Sequence, residues 1–163
     1  MNFIKRIDDL GRIVIPKDIR KELEIETNEN MEISINNNEI ILKKYDRLNN
    51  KNKLIVKLGK VIYNLLNKNM IITNREYIIY SNNESLINKK ISNELKNYIV
   101  NRIELEGNKR IELIDEYTIN SNLISKNLIL DSDACGILII YDDNINEKDK
   151  LILDIFYRFI SSI

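Results

Sequence analysis

The chain has no histidine and no tryptophan, a single cysteine, a single proline and four glycines in 163 residues. Without histidine there is no Ser-His-Asp triad, no histidine-ligated metal and no imidazole acid or base. Catalysis would have to rest on Asp, Glu, Lys, Tyr or Cys135. No nucleophile–base constellation is visible among them, so neither an enzyme nor a metal or organic cofactor is expected. With Cys135 alone, an intrachain disulfide is impossible and a reducing compartment fits. Neither sign of charge prevails: Lys plus Arg and Asp plus Glu both number 25. The total says nothing about a polyanionic partner, and the distribution has to be read instead. The opening MNFIKRIDD lacks the apolar run of a signal peptide, and nowhere do apolar residues approach the roughly 20 of a membrane span. A cytoplasmic protein with no membrane partner is the expectation.

What is present is an excess of Ile and Asn, with Lys and Tyr also common. We read it as the mark of an AT-rich coding sequence, so many of these residues carry little positional information. The scarce Gly and Pro are more telling. Gly11 and Pro16 fall together in IDDLGRIVIPKDIRKELEI, residues 7–25. Residues 3–7 and 12–15 read as strands joined by Asp8-Asp9-Leu10-Gly11, in which Gly11 can take a positive φ. Pro16 ends the second strand and suits a helix start over 17–24, where Ile19 and Leu23 share a face. Residues 31–35 and 39–45 read as strands about the turn Asn36-Asn37-Asn38. Ile13 and Ile15 are expected to hold the bend to a core, and Ile19 and Leu23 to hold the helix. A β-β-α-β-β unit of this size is too small for a core of its own. Two copies interleaving their hairpins into one small barrel would supply it.

Residues 46–53 are polar and read as a linker. A helix follows at 54–67, with the stripe Leu54, Leu58, Val61 and Leu65 flanked by Ile55, Ile62 and Leu66. The stripe fits either domain core or a seam between subunits. Residues 70–73 and 77–80 form a hairpin about Asn74-Arg75-Glu76, and 91–105 read as a helix. Residues 110–114, 124–130 and 136–141 read as strands. A last helix spans 147–162, with Ile152, Ile155, Phe156, Phe159 and Ile163 on one side. This is an α+β domain built on an antiparallel sheet.

Charge is polarised along the first third. Residues 1–21 carry Lys5, Arg6, Arg12, Lys17, Arg20 and Lys21 against Asp8, Asp9 and Asp18, net +3. Residues 22–39 carry six glutamates and no base, net −6, and residues 40–47 return to +2 through Lys43, Lys44 and Arg47 against Asp46. A dimer would double the basic side about a two-fold axis, the arrangement of a duplex-DNA binder. Spacing alone is equally compatible with solvated faces.

The segments RIDDLGRIVIPKDIRKELEI and MEISINNNEIILKKY resemble the AbrB-type swapped-hairpin DNA-binding domain of bacterial transition-state and sporulation regulators, over residues 4–45. The segments LGKVIYNLLNKNMIITNREYIIY and DACGILIIYDDNINEKDKLILDIFYRFISSI resemble the GAF-like C-terminal domain of the stage V sporulation protein T family. The resemblance implies an AbrB-type domain at 1–48, a linker at 49–53 and a GAF-like domain at 54–163. It implies a homotetrameric transcriptional regulator of forespore gene expression, in contact with double-stranded DNA and with itself. It supplies no ligand for the GAF-like half. The family's DNA-contacting arginines carry over to Arg12 and Arg20. The two other positions hold Lys21 and Lys5, with Arg6 beside the latter. Lysine keeps a phosphate contact but lacks the planar fork that reads guanine edges.

The remaining candidates have two readings each. Lys43 and Lys44 fit a phosphate role or an edge-strand guard. Asp8 and Asp9 fit a carboxylate pair less well than a brace for the loop, pairing with a neighbouring Arg. Asp131-Ser132-Asp133 reads as a turn, and Cys135 as a small core residue. Tyr77, Tyr80 and Tyr141 are offered as walls of a small-molecule pocket or as plain packing. The competing function is an antitoxin of related swapped-hairpin type, against which stands a C-terminal half patterned as a folded domain.

Overall fold

The structure, a computed structural model, describes residues 2–45, 48, 52–130 and 132–162. Asp46, Arg47, most of the expected linker, Asp131 and Ile163 lie outside the described residues. The chain divides into two compact units, Met1–Tyr45 and Asp46–Ile163.

The first unit holds helix α1 (Lys17–Glu22) and the antiparallel hairpin β1 (Met31–Asn36) and β2 (Glu39–Lys44). The hairpin turns at Asn37 and Asn38, both at positive φ (43° and 67°), the two-residue geometry whose twist suits flanking strands and which Asn tolerates. α1 ends in a Schellman arrangement: Ile25 N donates to Arg20 O and Glu24 N to Lys21 O, with Glu24 left-handed at φ 52°.

Residues 3–7 and 12–15, expected as strands, are not strands within this single chain. A strand needs a partner edge, and none is offered to them here. The expected core contacts also fail: Ile13 and Leu23 are exposed, and Ile15 and Ile19 only half-buried. Across residues 2–45 no side chain is buried.

The second unit is a five-stranded antiparallel sheet in the order β4-β3-β7-β6-β5. The strands are β3 (Asn69–Thr73), β4 (Ile78–Ser81), β5 (Glu106–Ile114), β6 (Tyr117–Leu130) and β7 (Asp133–Asp142). Helices α2 (Asn52–Leu66) and α4 (Glu147–Ser162) cover one face, and α3 (Asn93–Val100) with a 3-10 turn at Glu84–Leu86 covers the other. Strand alternation feeds both cores: Met70, Ile72, Leu138 and Ile140 point to the α2/α4 side, Ile71, Ile137 and Ile139 to the α3 side. β7 is central and buried on both faces, which explains its unbroken apolar run. A Cβ on Gly136 would collide with the Thr73 carbonyl, so glycine is what lets β7 approach that backbone.

Several expectations are corrected here. In α2 the buried residues are Ile55, Gly59 and Ile62, while Leu54, Val61 and Leu65 of the named stripe are exposed and Leu58 is partly buried. In α4, Phe156 is buried and Ile152 packs against the core, but Ile155 and Phe159 are exposed; Leu153 and Ile160 take the inward positions. Leu48, expected at the end of the first domain, is fully buried in the core of the second unit, and Asn52 and Lys53 belong to α2 rather than to a linker. α3 stops at Val100, short of 105. Arg102 turns left-handed so that Leu105 can exchange hydrogen bonds with Ser125. β6 begins at Tyr117, seven residues early, because β5 pairs with it from Glu106↔Ile124 to Ile114↔Tyr117 despite its Asn, Ser and Thr content.

Candidate nucleic-acid interface

The basic loop is built by Asp8. Gly11 N donates to Asp8 O at 2.9 Å and Asp8 N to Arg12 O at 3.1 Å, with Gly11 at φ +75°. This is a three-residue reversal whose last position calls for glycine. Asp8 Oδ1 accepts from Leu10 N at 3.0 Å and from Arg12 N at 2.8 Å, while Oδ2 accepts from Arg12 Nε at 2.8 Å. The Arg12 amide, and then its guanidinium, hold the Asp8 carboxyl below its ordinary range. Arg12 remains 70% exposed. The brace expected of the acidic pair is made by Asp8.

Helix α1 presents the second group. Lys17, Arg20 and Lys21 stand at i, i+3 and i+4 and share a groove of about 360 Å³ with Glu24, Ile25 and Glu26. Lys17 was counted in the charge but not singled out from the sequence; its helical spacing to Arg20 and Lys21 was the available signal. Lys5 and Arg6 are exposed on the segment leading into the loop.

Lys43 and Lys44 are placed differently. Lys43 pairs across the hairpin with Glu32 at 3.1 Å, its register partner. Lys44 pairs with Glu29 at 3.4 Å and donates to Glu24 O at 2.8 Å, at the end of α1. Part of the acidic block thus answers these two lysines.

In the second unit the three tyrosines do not converge. Tyr80 lies in the core on the α2/α4 side, where a Cβ on Gly59 would sit 2.6 Å from its ring, whereas Tyr141 lies in the core on the opposite side. Tyr77 is exposed. They cannot wall one cavity. Cys135 is buried with its Sγ 3.3 Å from Asp133 O, Ser132 is a left-handed turn residue, and Asp133 pairs with Arg75 at 2.9 Å. Among the described residues no helix is long and apolar enough to cross a membrane.

Comparison with known proteins bears on both units. The family model for "Antidote-toxin recognition MazE, bacterial antitoxin" matches residues 4–49. Stage V sporulation protein T of Bacillus subtilis (strain 168) is 30% identical over 167 residues, covering 98% of this chain and 90% of that protein. Transition state regulatory protein AbrB of the same organism is 43% identical over 42 residues, 26% of this chain and 44% of that protein.

Proposed function

The chain belongs to the stage V sporulation protein T family, and from that membership we propose that it regulates transcription by binding duplex DNA through paired copies of its Met1–Tyr45 unit. The observation that carries the pairing is the state of that unit alone. No described side chain in it is buried. Ile33, Ile35, Ile40 and Leu42, brought to one face of the hairpin by the pairing Ile33↔Leu42 and Ile35↔Ile40, are 42–82% exposed. A second copy gives that face a core and gives residues 3–7 and 12–15 a strand partner, completing a swapped-hairpin barrel.

Pairing sets two copies of Arg12, Arg20, Lys21 and Lys5–Arg6 about a two-fold axis. The lysines and Lys17 supply phosphate contacts, and the Arg12 fork reads base edges in the major groove. Lys43 and Lys44, engaged by carboxylates, serve the hairpin and the end of α1 first.

The second unit is the GAF-like half, and its role is assembly. Leu54, Val61 and Leu65 of α2 and Leu151, Ile155 and Phe159 of α4 are all exposed apolar residues on helices that cover one sheet face. Buried between copies, they would join two DNA-binding pairs into a tetramer. Its likeness to a sporulation protein supports placing its targets among sporulation genes, those of the forespore in this reading. Small-molecule sensing finds no support in the tyrosines. The antitoxin reading has the name of the matched family model behind it. It sits poorly with a C-terminal unit folded on two cores rather than drawn out as a toxin-wrapping tail. Genome-wide mapping of bound DNA in wild-type and Arg12→Ala cells tests the reading. Discrete wild-type peaks that fade in the variant are expected. A wild type with no DNA peaks that co-purifies with a small toxin would favour the antitoxin.

A further inference from the structure

We propose that Asp8 is a positioning residue that aims the Arg12 guanidinium, so that base discrimination by this protein depends on a carboxylate that itself repels DNA. The inference rests on the DNA-binding reading above and goes beyond it, because it assigns the specificity of the arginine to a different side chain.

The geometry is specific. Arginine has five N–H donors in a rigid plane. Asp8 Oδ2 takes the Nε donor at 2.8 Å, and no described residue engages the two terminal nitrogens. What remains is the end-on pair, Nη1 and Nη2, the fork that can meet guanine O6 and N7 together. The carboxylate cannot swing away, because its other oxygen holds the loop by accepting from Leu10 N and Arg12 N. Loop backbone and guanidinium are thereby fixed by one group. An arginine that is 70% exposed would otherwise sample many rotamers and lose that freedom on binding.

A carboxylate at a DNA-facing surface weakens attraction to every phosphate nearby. If Asp8 were an ordinary surface charge, its neutralisation would strengthen binding to all sequences. If it aims Arg12, neutralisation weakens binding to the preferred sequence and leaves non-specific binding intact or stronger. The two roles predict opposite signs.

The test uses full-length protein and the variant Asp8→Asn, whose Oδ1 can still accept the two loop amides while its amide nitrogen cannot accept from Nε. The probes are the duplex that wild-type protein enriches from a random pool and a random-sequence duplex of equal length. Affinity for the enriched duplex should fall on the order of tenfold to a hundredfold. Affinity for the random duplex should hold or rise about twofold. The Arg12 Nε–H resonance should exchange slowly with water in the wild type and freely in the variant. Asp8→Ser, which can cap the loop without charge, decides the matter if Asp8→Asn melts low. Unchanged or improved binding to the enriched duplex overturns the proposal. So does a wild type that enriches no sequence, or a parallel loss of both affinities with a lowered melt in both variants. Arg12→Ala separates the two levels: if it leaves binding to the enriched duplex unchanged, the DNA-contact reading of Arg12 falls, whereas a loss there beside a strengthened Asp8→Asn removes only the positioning role.

Discussion

Ile35→Ala is a stringent probe of whether the N-terminal unit pairs. In a single chain Ile35 is 82% exposed, and its cross-strand partner Ile40 is 68% exposed. Truncating so exposed a side chain changes stability by no more than about 0.5 kcal/mol. If the same face is the core between two copies, each Ile→Ala removes about 2–5 kcal/mol. The pair contains the site twice, so its association weakens by about 4–10 kcal/mol, at the lower bound roughly a thousandfold in the dissociation constant. Light scattering of the full chain over a dilution series would report the loss as a drop in mass. Hydrogen exchange localises it: the amides of residues 3–7 and 13–15 have no strand partner within one chain, so protection there must come from another. Strong protection in the wild type and its loss in Ile35→Ala are expected. Wild-type amides that exchange at unprotected rates, or a variant with unchanged mass and protection, would refute the reasoning.

Two further outcomes concern the second unit. Gly136→Ala should destabilise it by about 3 kcal/mol or more, because the new methyl meets the Thr73 carbonyl and neither strand can yield without breaking β3–β7 pairing; urea melts of the two proteins measure it. Burial, with Tyr117 adding to it, pushes the Tyr141 hydroxyl up to about 12 from an ordinary value of 10.0. The unfolded chain therefore loses this proton first, so the contribution is whole below about pH 10 and drains away toward pH 12, by at most about 2–3 kcal/mol and by less where solvent screens the hydroxyl. Urea melts at pH 9 and 11.5 should show that decline in the wild type and a smaller one in Tyr141→Phe.

The sequence made some features plain and hid others for physical reasons. The Asn37–Asn38 turn, the helix after Pro16 and the apolar run of β7 were legible, because each is a local preference that the fold does not oppose. Residues 3–7 and 12–15 are written in the same local code, but a single copy offers them no strand edge to pair with. α2 and α4 carry apolar residues around more than one face, and periodicity cannot say which stripe turns inward; Ile55 and Ile62, not Leu54 and Val61, do so. The polar first half of β6 reads as loop and becomes strand because β5 pairs along its whole length. At the candidate site, the motif leads to a brace by Asp8 and Asp9, and Asp8 makes it. Lys17 joined Arg20 and Lys21 only once the helix put them on one groove. The separation of Tyr80 from Tyr141 follows from strand alternation and was open to inspection in principle, but the strands had first to be placed in the sheet.

The central claim is that a chain of zero net charge binds duplex DNA through a concentrated basic surface supplied by two copies. It is tested most directly by titrating full-length protein onto the duplex it enriches, at stepped salt concentrations, by fluorescence anisotropy. Lys17, Arg20 and Lys21 from each of two copies supply six cations at the least. Log affinity should therefore fall against log salt with a slope of about −5 or steeper. Charge-removing changes at Arg20 and Lys21 should make that slope shallower. An affinity that stays flat from low to physiological salt, or a slope that those changes leave untouched, would contradict the account.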